Sequence, residues 1–218
     1  SHTHYLVPPT GLGYLATSLK QGGFNNITIL DCVKERLLFS DLSERFKLLK
    51  PQIVGFQVFS YDFDSVVRSI EIIRQVSPET VVLIGGAHVS STSTTVLGEI
   101  KEADYGFAGE GEIGLPMLAR RVLRGESISL ENIPGLIWRE GSSIRNNARA
   151  GIEDLDSLGF QAWDLMPPAS YDGSPQGVFY KRFPIAPIST TRGCPYLCTF
   201  CGSGVNMGHK LRLRSMNH

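Results

Sequence analysis

The sequence has no long apolar run, no excess of either charge and few cysteines, and each absence closes off a class of function. Its most apolar stretches, such as "IVGFQVF" and "VVLIGGAHV", stop well short of the ~20 residues that a membrane span requires. The opening residues show no secretory pattern. Lys plus Arg and Asp plus Glu stand at 21 each, which leaves no overall field to attract nucleic acid or an anionic membrane. Neither is expected as a partner. Four cysteines in 218 residues, three of them crowded together, do not make a disulfide framework, and reduced thiols fit a cytoplasmic location. Internal repeats and low-complexity tracts are also missing. The chain opens Ser-His-Thr-His without an initiator Met and closes Ser-Met-Asn-His, so a piece of a longer product is expected.

With 42% apolar and 19% charged residues, the composition is that of an ordinary globular protein. Residues 11–21, "GLGYLATSLKQ", place Leu12, Leu15, Ala16 and Leu19 at helical spacing before a Gly22-Gly23 stop, which predicts a helix. Further along, "NITILD", "QIVGFQVF", "TVVLIGG" and "DYGFAG" read as strands, and residues 40–49, 62–76, 93–101 and 112–123 as helices. Strands alternating with helices predict an α/β fold over residues 1–125, a doubly wound parallel sheet of the Rossmann or flavodoxin kind. Such a sheet needs a strand before its first helix, but "SHTHYLV" is short and polar, so that strand is expected to be truncated.

Ligands of these sheets bind beyond the carboxyl ends of the strands. The loops to inspect are therefore the one before the first helix (Pro9, Gly11) and those after three strands (Gln57 and Ser60; Gly85, Gly86 and His88; Gly109, Glu110 and Gly111). Glycines there let the backbone approach a flat ligand closely, although each pair is equally explained as a tight turn. Seven of the twelve prolines lie beyond residue 130, which marks residues 126–183 as a connector. It contains a hairpin turning at Gly141 and a strap, "IEDLDSLGFQAWDLMPP". Trp163, Leu165 and Met166 would be costly to leave in water at ~25 cal/mol per Å², so the strap should be laid across another surface.

Residues 184–218 begin with a strand, "ISTTRG", that leads into "RGCPYLCTFCG". The C-x3-C-x2-C spacing of Cys194, Cys198 and Cys201 puts three thiols on one short loop, which suits an iron–sulfur cluster with one iron left open. An open coordination position points to chemistry, a closed one to structure. A structural zinc would need a fourth ligand from His209, eight residues on, or from the remote Cys32; three unligated cysteines are the other alternative.

"GCPYLCTFC" resembles the signature loop of radical S-adenosylmethionine (SAM) enzymes. The segments "VPPTGLGYLATSLKQGG", "IVGFQVFS", "VVLIGGAHVS", "FAGEGE", "IPGLIWREG" and "DLDSLGFQAWDLMP" are similar, in that order, to the cobalamin-binding domain that precedes the barrel in one large subfamily. The resemblance implies that Cys194, Cys198 and Cys201 hold a [4Fe–4S] cluster, that SAM binds its unique iron, and that Phe200 lies beside the adenine. It implies cobalamin contacts at Pro9, Gly11, Gln57, Ser60, Gly85, Gly86, His88, Gly109, Glu110 and Gly111. In that family an electron from a donor such as flavodoxin or ferredoxin cleaves SAM to a 5′-deoxyadenosyl radical, and the cobalamin typically donates a methyl group to a small-molecule substrate. A methyltransferase or a related C–C or C–P bond former is implied.

The chain departs from the pattern in two ways. It lacks an Asp-x-His-x-x-Gly loop, reading "VPPTGLGY" instead, so cobalamin is expected without a histidine ligand to cobalt and His88 as a contact to its tail or a cap. Only seventeen residues follow Cys201, whereas the family uses a whole barrel, so this piece should be inactive alone, and "HKLRLRS" should be a solvated stretch. A flavodoxin-like flavin or nucleotide module with an electron-transfer cluster is the alternative. A receiver-like regulatory domain is weakened because Asp31 is a single carboxylate.

Overall fold

Three apolar runs become the parallel core of one sheet. The structure, a computed structural model, describes residues 6–171 and 181–216. Strands β1 (Ile53–Gln57), β2 (Val81–Gly85) and β3 (Tyr105–Phe107) pair in parallel, with Ile53 opposite Val81 and Leu83 opposite Tyr105. Parallel neighbours need crossovers, and the amphipathic segments supply them. Helix α3 (Phe63–Val76) joins β1 to β2; α4 (Ala87–Thr92) and α5 (Thr95–Glu99) join β2 to β3.

Side chains alternate between the faces of a strand, so both faces of β2 are apolar. Val82 and Ile84 meet a layer from α3, α4, α5 and α2 (Phe39–Leu49) that includes Leu42, Phe46, Ile70 and Leu97. Leu83 points to the other side, with Leu118 of α6 (Gly114–Arg124). Helix α1 (Thr10–Gln21) borders α6 on that side. This is the α/β architecture expected, helices covering both faces of a parallel sheet.

Four expectations change. The "NITILD" run forms no strand: β-branched residues favour extended backbone, but a strand also needs a neighbour to pair with, and this segment has none among the described residues. The helix expected over 93–101 shortens to α5, and a further short helix, α4, precedes it, with Ser93 between the two at φ 52°. The hairpin is no appendage to the sheet. Strand β4 (Leu136–Glu140) runs antiparallel to β3, and β5 (Ser143–Asn146) antiparallel to β4, giving the order β1-β2-β3-β4-β5.

The fourth change concerns α1, whose buried residues are Gly13, Tyr14, Ala16 and Ser18, with Leu12, Leu15 and Leu19 only partly covered. The strap accounts for it. Met166, 1% exposed, packs so closely on Gly13 that a Cβ there would lie 2.0 Å from its Cε. The Ala162 N–H donates to the Gly13 carbonyl (3.1 Å), and Tyr14 clusters with Ile152, Leu155 and Leu158. The strap is thus laid across α1. The segment 1–5 belongs to the expected truncated strand and lies outside the described residues; residues 6–9 are not a strand.

Beyond the strap, β6 (Thr191–Arg192) and β7 (Arg212–Leu213) form a separate two-stranded ladder that closes the cysteine loop. Helix α7 (Ser203–Met207) lies within that loop, against α4. No helix among the described residues is long and apolar enough to cross a membrane.

The hairpin's membership of the sheet has a measurable consequence. Leu136 is fully buried against α6 and β3, so Leu136→Ala is expected to destabilise the whole α/β unit by about 2–5 kcal/mol in urea unfolding. A hairpin that melted alone, leaving the main transition in place, would contradict the topology.

Candidate functional site

The sequence-predicted ligand residues gather at the carboxyl end of the parallel strands. Pro9 precedes α1, and Gly11 lies in its first turn. Gln57 ends β1, Gly85 ends β2, and Gly109, Glu110 and Gly111 follow β3. The Gln57 side chain is the meeting point. A Cβ on Gly11 would sit 3.5 Å from its Nε2, and one on Gly86 would sit 3.4 Å from its Cγ.

Gly86 is required at its position. Its φ is +104°, and a Cβ would come within 2.9 Å of the Val58 carbonyl oxygen, so the β1 and β2 loops approach as only glycine permits. Gly11 differs: it is exposed, and a Cβ there would meet only the Gln57 side-chain amide, at an ordinary van der Waals distance.

His88 lies in the first turn of α4, where its Nδ1 meets the Ser60 hydroxyl at 3.0 Å and its ring tilts against Phe63, centroids 4.9 Å apart. Its Nε2 is buried and has no hydrogen-bond partner among the described residues. Burying such an atom is costly unless something bonds to it, so it offers a polar contact to a ligand at this end. Asp62, in the same loop, has its carboxyl pushed above the ordinary range by burial, against hydrogen bonds from the Phe59 and Asp62 amides and the nearby His88.

Glu110 was expected to face the ligand, but its carboxylate turns to the lobe carrying the cysteines. Arg212 donates to both of its oxygens (2.7 and 2.8 Å), the Ile152 N–H donates to one (2.8 Å), and Arg192 approaches at 3.4 Å. Glu112 accepts from Arg192 at 2.6 Å. All four side chains are at most 9% exposed. What residues 109–111 can offer a ligand is therefore their backbone.

Burial opposes ionisation of Glu110, but the hydrogen bonds from Arg212 and the Ile152 amide and the charges of Arg192 and Arg212 outweigh it, holding the carboxyl below its usual 4.5. Arg192 is likewise discouraged by burial from carrying charge, and Glu112 and Glu110 more than restore it. Removing one member of such a buried set costs about 3–5 kcal/mol, because the remaining charge is left without a partner.

The three cysteines stand on one loop whose base is tight. Gly193 has φ +89°, and a Cβ there would lie 2.1 Å from the Lys210 carbonyl oxygen. The Cys194 N–H donates to Gly208 O at 3.1 Å, and the Cys201 N–H to Cys198 O at 3.2 Å. Hydrogen bonds from the Ser203 hydroxyl and amide lower the Cys201 thiol below its usual range, favouring the thiolate that binds metals.

Contrary to expectation, the thiols are not drawn together: among the described residues no three His, Cys, Asp or Glu side chains are gathered in metal-ligating geometry. Cys198 and Cys201 are exposed, so no packing forces them inward, and in metal sites it is the metal–ligand bonds that gather the ligands. Three thiol donors on one accessible loop still suit an iron–sulfur cluster. Phe200 beside them is 92% exposed.

Sequence reasoning missed the arginines. "HKLRLRS" was expected to be solvated, yet Arg212 is buried in the ion network, and Arg214 bonds the Gly159 (2.8 Å) and Ser189 (3.1 Å) carbonyls. In this segment the leucines face solvent, Leu211 and Leu213 being exposed. The sequence offered little signal: "GEGE" sets two carboxylates two apart, but their partners Arg192 and Arg212 stand apart along the chain and meet only across the β6–β7 ladder. Arg149 was missed as well. Its side chain packs on Gly109, and its guanidinium donates to the Ser90 carbonyl (2.7 Å) and to the Val205 carbonyl of α7.

Residues 1–119 match the family model described as the B12 binding domain. An uncharacterized methyltransferase of Pyrococcus horikoshii is 31% identical, over 96% of this chain and 43% of its own length. The anaerobic magnesium-protoporphyrin IX monomethyl ester cyclase of Rubrivivax gelatinosus is 30% identical, over 89% of this chain and 34% of its own. Among solved structures, the cobalamin-dependent SAM radical enzyme OxsB, with aqua-cobalamin and SAM bound, superposes with a TM-score of 0.75 at 15% identity, covering 94% of this chain and 27% of that one. That likeness is one of fold. The chain spans less than half the length of each of these proteins.

The Glu110 carboxylate sets an acid limit. Because its folded value lies below 4.5, its contribution is complete above that pH and is lost as pH falls through the folded value. Urea midpoints measured from neutral pH downward should hold until about 4.5 and then drop. In Glu110→Gln the baseline should be lower and that acid loss smaller. Identical acid limbs in the two proteins would contradict the assignment.

Proposed function

The chain belongs to the B12-binding domain family, and from that membership we propose that it is the cobalamin- and cluster-binding portion of a cobalamin-dependent radical SAM enzyme, a methyltransferase or a related C–C or C–P bond former. One observation carries the reading: the glycine-bordered loops around Gln57 open at the end of the sheet to which the three-cysteine loop is clamped through Glu110 and Glu112.

Gly11, Gln57 and Gly86 would form the floor on which the corrin lies, with Pro9, Ser60, Gly85 and the backbone of 109–111 around it. The described residues before α1, 6–9, include no histidine, so no imidazole would reach cobalt from them, while the unpartnered Nε2 of His88 would meet a polar group of the cofactor's tail. Cys194, Cys198 and Cys201 would ligate a [4Fe–4S] cluster, with SAM at its remaining iron and Phe200 against the adenine. When bound, these groups supply a transferable methyl and one-electron chemistry, both of them the cofactors' own. The protein's part is to hold the two sites at a fixed separation and to present the three thiols on one loop. A small-molecule substrate and an electron donor such as flavodoxin or ferredoxin complete the scheme. A cytoplasmic location is part of the same reading.

Incubation with hydroxocobalamin followed by gel filtration should leave a red chromophore on the protein. Gly11→Leu adds a side chain at an exposed position whose Cβ meets only the Gln57 amide without a clash and improves helix propensity, so it should leave the melting temperature unchanged while weakening retention by about tenfold. A chain that retains a flavin and no corrin would overturn the proposal. Separately, anaerobic reconstitution with iron and sulfide should give the brown absorbance of a [4Fe–4S] cluster, lost in Cys198→Ala. Tight co-purification of zinc with no loading of iron would refute the cluster assignment.

A further inference from the structure

The cysteine loop hangs from a neck of two short strands, and each strand contributes an arginine aimed at the same carboxylate. Arg192 and Arg212 are direct ladder partners, so two guanidinium groups lie side by side in a buried place. Such a pair repels unless anions are set against it. Glu112 serves Arg192 alone, at 2.6 Å. Glu110 serves both: it takes a two-pronged contact from Arg212 (2.7 and 2.8 Å) and meets Arg192 at 3.4 Å.

The contacts continue into the loop. Arg212 also donates to the Ile152 carbonyl and to the Met207 carbonyl at the end of α7, both at 2.8 Å. Arg149, packed on Gly109, donates to the Val205 carbonyl of the same helix. Both strands of the neck and the helix that follows Cys201 are therefore referred to residues 109–112, which form one of the ligand-side loops. The apolar side chains of the loop do no such work, since Tyr196, Leu197 and Phe200 are exposed.

We infer that Glu110 is a positioning residue for the cysteine loop, tying Arg192 and Arg212 across its neck to the end of β3 and so fixing where the three thiols stand relative to the loops around Gln57. In its metal-dependent part the inference rests on the reading that the thiols hold a cluster. With its carboxylate engaged by Arg212, Arg192 and the Ile152 amide, Glu110 acts through the neck.

The test compares the full chain with Glu110→Gln, Glu110→Asp and, as a control, Glu153→Gln, which breaks the exposed Lys210–Glu153 pair. The first readout needs no metal. Amide hydrogen exchange follows the Cys194 N–H, bonded to Gly208 O, and the Arg214 N–H, bonded to Thr190 O, against the Val58 and His88 N–H groups of the β1 and β2 loops. Glu110→Gln is expected to speed the two neck amides by about tenfold and to leave the other two within about twofold. Glu110→Asp, which keeps the charge at shorter reach, should recover part of the protection, and Glu153→Gln should change nothing. Should Glu110→Gln fail to fold, Glu110→Asp carries the same comparison against the parent chain.

The second readout follows reconstitution with iron and sulfide. Glu110→Gln should alter the electron paramagnetic resonance spectrum of the reduced cluster and speed iron loss to a ferrous chelator. Neck amides that exchange as in the parent overturn the inference, as does acceleration of all four amides together, which would make Glu110 a general stability residue. A selective response of the neck in a chain that never loads iron upholds the positioning role and removes the cluster reading instead.

Discussion

The arrangement depends on four charges placed where water does not reach. Removing ions from water costs several kcal/mol each, and attraction offsets that only if every ion also finds hydrogen bonds. Here it does: Arg212 meets both oxygens of Glu110 and the carbonyls of Ile152 and Met207, and Arg192 meets both glutamates. Two anions and two cations leave no net charge. Apolar contact alone could attach the cysteine-bearing lobe to the α/β unit, but it has no preferred direction. Forked charge-assisted hydrogen bonds do, and they leave the lobe one seat.

That seat is at the functional end of the sheet. A parallel sheet puts its strand ends, its helix starts and its glycine turns on one side, and ligands bind there because backbone groups are available at close range. The glutamates follow β3 directly, so the lobe docks beside the candidate corrin floor. Tyr14, under the guanidinium groups of Arg192 and Arg214 at 5.0 and 5.5 Å, brings α1 into the same contact. The strap covers the outer side of α1 and carries the chain from one site to the other.

The local features were legible. Apolar runs such as "VVLIG" are buried on both faces and have one interpretation, and glycine pairs after them mark the loops at any reading. The cysteine spacing singled out its loop without help. Features that depend on a distant partner were hidden. "NITILD" has strand chemistry and no ladder; the hairpin is visible, but not that its first strand pairs with β3. The face of α1 could not be read because a strap more than a hundred positions away packs on Gly13. Arg212 reads as a surface residue until Glu110 is set beside it, since neither local periodicity nor charge pattern distinguishes a buried ion from a hydrated one.

The separation of Glu110 and Arg212 along the chain, 102 positions, also dictates an order of assembly. Synthesis runs from the amino end and domains form as they emerge. The sheet through β3 can therefore take shape while its arginine partners have yet to be made, and during that interval the future seat bears hydrated carboxylates in place of a greasy patch. A nascent chain is thereby shielded from sticking to its neighbours at that end, and water leaves the seat only when the last strand arrives to close it.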